Sequence, residues 1–214
     1  MDIDFLSRFL SVTSTLFVII DPLAAAPTFL SLTADYSDRE RASTAFKACL
    51  FGALSLLAFS LVGAPLFDLL SLNMNAFKAG GGLLLLLTAL DMLRANHKEC
   101  GCSRDELGSA KERDDISFVP LAMPMLAGPG AITSVMIFST DNHSSHTLNF
   151  LVIATAVVLI FLVSFFLLKS SVLLQRSLGK SGISVIQRVM GLLLAALSLQ
   201  MIAEGAVSLI KSLT

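Results

Sequence analysis

Asp21-Pro22-Leu23-Ala24-Ala25-Ala26-Pro27 sets one acid and two prolines inside a segment, Phe5 to Leu32, that is otherwise apolar enough to cross a membrane. Each proline lacks an amide proton and clashes with the preceding turn, so an unbroken helix cannot run through the stretch. In lipid the freed carbonyls and amides must find partners inside the protein, and such a break is tolerated where it is buried in protein or lines a cavity. A similar break follows at Pro124-Met125-Leu126-Ala127-Gly128-Pro129-Gly130. The rest of the chain reads as a frame around these two.

Composition agrees with a membrane setting. The 214 residues are 55% hydrophobic and 14% charged, with a mean hydropathy of +0.80, against roughly 45–50% apolar and 25% charged for a soluble domain. The amino-terminal Met1-Asp2-Ile3-Asp4-Phe5 has no basic stretch of the signal-peptide kind, so the first span is expected to persist in the mature protein. Cys49, Cys100 and Cys102 are expected to be free thiols. Cys100, Cys102 and His97 lack a fourth metal ligand, and His143 and His146 read as solvated loop residues. No Ser-His-Asp, phosphate-loop or paired-carboxylate arrangement stands out, and we assign no catalytic residue, metal, cofactor or nucleic-acid partner.

A span needs about 20 apolar residues, and six segments qualify: Phe5 to Leu32, Ala48 to Leu70, Ala76 to Leu93, Ser117 to Ser139, Leu148 to Leu168 and Ile183 to Ile210. Loops on one side carry Arg39, Arg41, Lys47, Arg94, Lys98, Arg104, Lys111, Arg113, Lys169, Arg176 and Lys180, and the other side has Arg8, Lys78 and Lys211. By the positive-inside rule both termini face outward. The second half repeats the first: Pro22 and Pro27 fall on Pro124 and Pro129, and Lys78-Ala79-Gly80-Gly81 falls on Arg188-Val189-Met190-Gly191. Each half holds three spans, an odd number, so the copies are inverted. The predicted fold is therefore an all-α polytopic membrane protein of six transmembrane helices in two inverted three-helix repeats. Residues 1–93 and 117–214 form the halves, 94–116 a cytoplasmic linker, and spans one and four are the broken helices.

The breaks are the predicted binding site. A helix restarting after Pro27 and another after Pro129 would point free amides and positive dipole ends at the bilayer midplane, where a carboxylate can bind. Carbonyls near Ile19 and Ile20 would meet an ammonium group, so the ligand class is a zwitterion. Asp21, Pro22, Ala25, Ala26, Pro27, Thr28, Pro124, Ala127, Gly128, Pro129, Gly130 and Thr133 are the candidate substrate-binding residues. Gly128 and Gly130 open the backbone to the ligand, and Thr28, Thr133 and Ser134 bring hydroxyls. Ser7, Ser11, Ser14 and Asp21 fall on one helical stripe that could line a polar path, whereas Asp21 before Pro22 also has the form of a helix N-cap. Small residues of spans three and six, among them Gly81, Gly191, Ala195, Ser198 and Gly205, read as packing contacts, and Lys78 and Asp68 as an outer-end ion pair.

The runs Asp21-Pro22-Leu23 with Pro27-Thr28-Phe29, Val119-Pro120-Leu121-Ala122-Met123-Pro124 with Ala127-Gly128-Pro129-Gly130-Ala131-Ile132, and Ile186-Gln187-Arg188-Val189-Met190-Gly191 together resemble the MarC family. The resemblance implies a six-span, multi-pass protein of the bacterial inner membrane, in a family also described as small neutral amino acid transporters. This chain carries Ala24-Ala25 where family members often have glycine then asparagine. The expected function is secondary transport of a small neutral amino acid by alternating access, with H+ or Na+ as a possible coupling ion. Export of drugs or other metabolites and a membrane redox enzyme are the competing readings.

Overall fold

A computed structural model describes residues 2–70, 72–94, 126–140 and 146–213. All regular structure among them is helical: α1 (Asp2–Ile20), α2 (Pro22–Leu32), α3 (Asp38–Leu70), α4 (Met74–Leu93), α5 (Pro129–Ser139), α6 (His146–Lys169) and α7 (Ser171–Leu213). Five stretches are long and apolar enough to cross a membrane: Phe5–Leu32, Asp38–Gly63, Met74–Leu93, Thr147–Lys169 and Gly182–Lys211. The shorter apolar α5 is the described helix of the expected fourth span, Ser117 to Ser139. Pro124, the linker residues 95–116, Cys100, Cys102, His97 and His143 lie outside the described residues, as do the side chains of His146 and Asp68. Cys49 is a buried free thiol.

Two helices begin earlier than their apolar segments. α3 starts at Asp38 because Ser37 and Glu40 form a capping box: the Glu40 Oε2 accepts from the Ser37 amide at 2.8 Å, and the Ser37 Oγ accepts from the Glu40 amide at 3.4 Å. α7 opens with a short segment from Ser171 and bends at Gly179, whose φ of 62° suits only a residue without a side chain, before its spanning stretch from Gly182.

The helices close around two cores. The larger joins α1, α2, α3, α5 and α6 through Leu16, Phe29, Leu56, Leu126, Val135 and Ile153, all fully buried. The smaller joins Ala24 of α2 to Leu85, Ala89 and Met92 of α4 and to Met190 and Leu194 of α7. Large apolar side chains such as Leu10, Phe46, Leu61, Leu87, Leu162 and Leu199 point outward, each more than half exposed. That arrangement suits lipid and would be an aggregation surface in water.

The seam between α4 and α7 carries small residues, as expected for spans three and six. A Cβ at Gly205 would sit 2.6 Å from the Asn75 carbonyl oxygen and 2.8 Å from the Ala79 amide, so the glycine lets the two backbones touch. Gly191 packs in the same way beside Met92 and Ala89. Gly81 instead faces Thr133 of α5. Lys78 pairs across the α4 and α7 seam with Glu204.

Candidate functional site

The first break is a single residue wide. α1 ends as the Asp21 amide donates to the Phe17 carbonyl at 3.0 Å, and α2 begins as the Ala25 amide donates to the Asp21 carbonyl at 3.2 Å. Between them Asp21 takes φ 42° and ψ 66°, the left-handed conformation, and its carboxylate accepts from the Ala24 amide at 3.2 Å. Pro22 fills the first helical position, where its missing N–H costs nothing to α2. It does cost α1, because the Val18 carbonyl has no amide at residue 22 to receive. A non-glycine residue held left-handed stores about 1–2 kcal/mol of strain. Only surroundings that over-determine the turn keep it there.

Asp21 lies deep. In the Phe5–Leu32 span it falls about 4 Å from the axial midpoint at 1.5 Å per residue, and it is 7% exposed. Its Oδ1 is the cap to Ala24, while Oδ2 is buried without a partner. The αL turn also redirects the chain: Ser7, Ser11 and Ser14 are exposed on the surface of α1 whereas Asp21 is buried, so the four do not line one interior path. The helix restarts at Pro22 and not after Pro27. Pro27 sits within α2, half-buried, and the α2 amino terminus is occupied by the protein's own carboxylate. Free donors at that end, expected from the sequence, are therefore absent.

The second break places Gly128 as N-cap and Pro129 at the first position of α5. Here no side chain caps the amino terminus, and the one bond across the cap is the Ile132 amide on the Gly128 carbonyl at 3.0 Å. Thr133 turns its hydroxyl back to the Pro129 carbonyl at 2.8 Å and lays its methyl on Gly81. A Cβ at Gly130 would overlap the Leu85 side chain, so the room that glycine leaves is filled by α4 and seats α5 against it. Gly128 is half-exposed and Pro129 exposed.

Both breaks contribute residues to the larger core. Ile20, Ala25 and Ala26 from the first, and Leu126, Ala127 and Ala131 from the second, belong to the same buried cluster. Asp21, Pro22, Ala25, Ala26, Thr28, Ala127, Gly130 and Thr133 are all buried. Of the candidate residues, Pro124 lies outside the described set.

Both half-helices are fastened at their far ends by residues that the sequence did not single out. Arg41 of α3 donates from Nε to the Thr33 carbonyl at 2.9 Å and from Nη2 to the Ala34 carbonyl at 3.0 Å, closing the C-terminus of α2. Asn149 of α6 donates to the Phe138 carbonyl at 2.8 Å and to the Ser139 carbonyl at 3.3 Å, closing α5. Arg8 of α1 donates to the Asn149 Oδ1 at 3.0 Å and orients it. In each case a cation serves the negative end of a half-helix, directly or through one amide. A lone asparagine at the start of an apolar run was the available signal.

The comparisons agree with this architecture. A family model described as MarC family integral membrane protein matches residues 6–210. A UPF0056 membrane protein of Methanocaldococcus jannaschii is 38% identical over 200 residues, covering 94% of this chain and 96% of that protein. One from Aquifex aeolicus is 34% identical over 207 residues, covering 97% and 94%. The UPF0056 membrane protein YhcE of Escherichia coli is 34% identical over 191 residues, covering 89% and 87%. No solved structure matches the chain. With a family model spanning nearly the whole length and relatives above 30% identity on both sides, the chain belongs to the MarC family of integral membrane proteins.

Proposed function

We propose that this protein is a secondary transporter of small neutral amino acids, working by alternating access, and not an enzyme. The observation that carries the reading is the pair of interrupted helices whose breaks share one core. The α5 amino terminus has no side-chain cap, and it is suited to a substrate carboxylate through the Gly130 and Ala131 amides. The α2 amino terminus is already neutralised by Asp21, so the carboxylate belongs at α5 and the ammonium toward Asp21. The neighbouring core residues Ala25, Ala26, Ala127 and Ala131 are small, which suits a substrate with a small side chain.

The halves 1–93 and 117–214 act as inverted repeats joined by a cytoplasmic linker, with both termini on the outer side of a bacterial inner membrane and H+ or Na+ as coupling ion. The matched fastening of α2 by Arg41 and of α5 by Asn149 and Arg8 supports that symmetry. Purified protein in proteoliposomes is expected to catalyse saturable, counter-substrate-stimulated flux of glycine or alanine. Absence of flux across a broad amino-acid panel, with the protein folded, would sink the reading. Replacing Gly128 with valine is expected to abolish the flux by blocking the approach to the α5 amides.

A further inference from the structure

We propose that the cleft beside Lys78 and Glu204, where α4 meets α7, is a binding site for a phospholipid with a zwitterionic amine headgroup. Lys78 and Ser208 hold its phosphate, and Glu204 its ammonium. The site is independent of what the protein transports.

Place is the first argument. The cleft has a volume of about 420 Å³ and is lined by Lys78 of α4 and by Ala203, Glu204, Val207 and Ser208 of α7. At 1.5 Å per residue Lys78 lies about 6 Å inside the Met74–Leu93 span, and Glu204 about 10 Å inside the Gly182–Lys211 span. Both are counted from the same end of the bundle, because Gly205 packs on the backbone of Asn75 and Ala79. Ser208, one turn beyond Glu204, carries the cleft toward the membrane surface. Of the five spanning stretches, Gly182–Lys211 is the one least buried by protein, so lipid covers most of it.

The polar lining has bonding capacity to spare. The Lys78 ammonium has three protons, and its recorded acceptor is the Glu204 Oε2. Glu204 also accepts from the Gln200 amide on Oε1 at 2.8 Å, which leaves about half of the acceptor sites of a carboxylate unused. The Glu204 side chain is 47% exposed and that of Lys78 25%. Polar groups on a lipid-facing surface at this depth are costly until they meet a polar partner. Among the described residues no other charged side chain lines the cleft.

Charge selects the headgroup. One cation and one acid side by side complement a phosphate and an ammonium on neighbouring atoms, whereas a headgroup of net negative charge would set an uncompensated charge beside Glu204. The two remaining Lys78 protons and the Ser208 hydroxyl donate to phosphate oxygens, and the headgroup ammonium donates to Glu204. Ala203 and Val207 supply the apolar wall. The same face of α7 runs on toward the membrane centre through Leu199, Ala196 and Leu192, at steps of four, three and four from Ala203, all of them exposed. Val207, Leu199 and Leu192 are more than half exposed. An acyl chain lies along that track, which separates a lipid from a soluble phosphate ester.

The test is native mass spectrometry of the purified full chain in detergent. It is titrated with phosphatidylethanolamine or phosphatidylglycerol of identical acyl chains, and with glycerophosphoethanolamine, which has the headgroup and no chains. One phosphatidylethanolamine is expected to stay bound at concentrations where the other two do not. Lys78→Gln still donates to Glu204, so the seam holds, and it is expected to weaken retention about tenfold. Ser208→Ala leaves the ion pair intact and is expected to weaken it about fivefold. Arg188→Gln, at the other end of the Gly182–Lys211 span, is expected to leave it unchanged. Equal retention of phosphatidylglycerol, or full retention in Lys78→Gln, would overturn the site. Retention of glycerophosphoethanolamine as strong as that of the lipid would remove the acyl track and with it the lipid. A chain that is dimeric, and becomes monomeric on Lys78→Gln, would overturn the proposal in favour of a second copy on this face.

Discussion

Asp21 performs two tasks with one carboxylate. Oδ1 caps α2, and Oδ2 stays free in the core. The cap and the left-handed turn are separable from the charge by substitution. Asparagine retains both cap and turn, while leucine retains neither, and each lacks the charge. The Asn variant is therefore expected to be about 1.5–4 kcal/mol more stable than the Leu variant, the sum of a lost cap and an αL penalty, read as the difference in denaturation midpoints. Equal midpoints would show that the strained turn is held by packing alone. The N-cap was legible in the sequence, because an acid before a proline at the first helical position is a local pattern. The conformation at φ 42° was not, since it depends on two helices being fixed on either side.

The half-helices are elements whose two ends have different duties. Their amino-terminal ends each border the larger core, and their carboxyl termini are tied to neighbouring helices. Asn149→Leu strands the Phe138 and Ser139 carbonyls and leaves Arg8 without this acceptor. It is expected to cost about 1–3 kcal/mol and to disturb α5 first, seen as faster amide exchange in that helix. Arg41→Ala removes two bonds from a partly exposed guanidinium, so about 1 kcal/mol is expected after solvent screening, with the change confined to α2. Neither tie follows from periodicity. Asn149 and the carbonyls it serves lie on separate helices, and only the packing of α6 against α5 makes them neighbours.

At the scale of the whole molecule, α4 and α7 share the most extensive helix contact among the described residues. At Gly205 the obstructing atoms are the backbone of Asn75 and Ala79, which cannot rotate away. Gly205→Ala is expected to part the helices and cost about 1–3 kcal/mol, measured as a lower melting temperature in detergent, whereas Gly80→Ala, with open space around it, is expected to be neutral or slightly stabilising. The seam was anticipated from Gly191, Ala195, Ser198 and Gly205, and Gly81, also read as a packing contact, packs against Thr133 of α5. Residues on one helix wheel reveal which face is small, and only the assembled bundle shows that Gly81 looks toward α5.

The sequence by itself determined the membrane class, the number and extent of most spans, the family and the two places where helices must break, because hydropathy and proline chemistry act within a few residues. It also expected α2 to start after Pro27. A proline is tolerated where neighbouring helices absorb the lost bond, and so α2 runs through it from Pro22. Tertiary structure alone decided which carboxylate oxygen is free, that Leu85 fills the space at Gly130, and that Arg41, Arg8 and Asn149 secure the half-helices. Those are contacts between helices far apart along the chain, and no local rule encodes them.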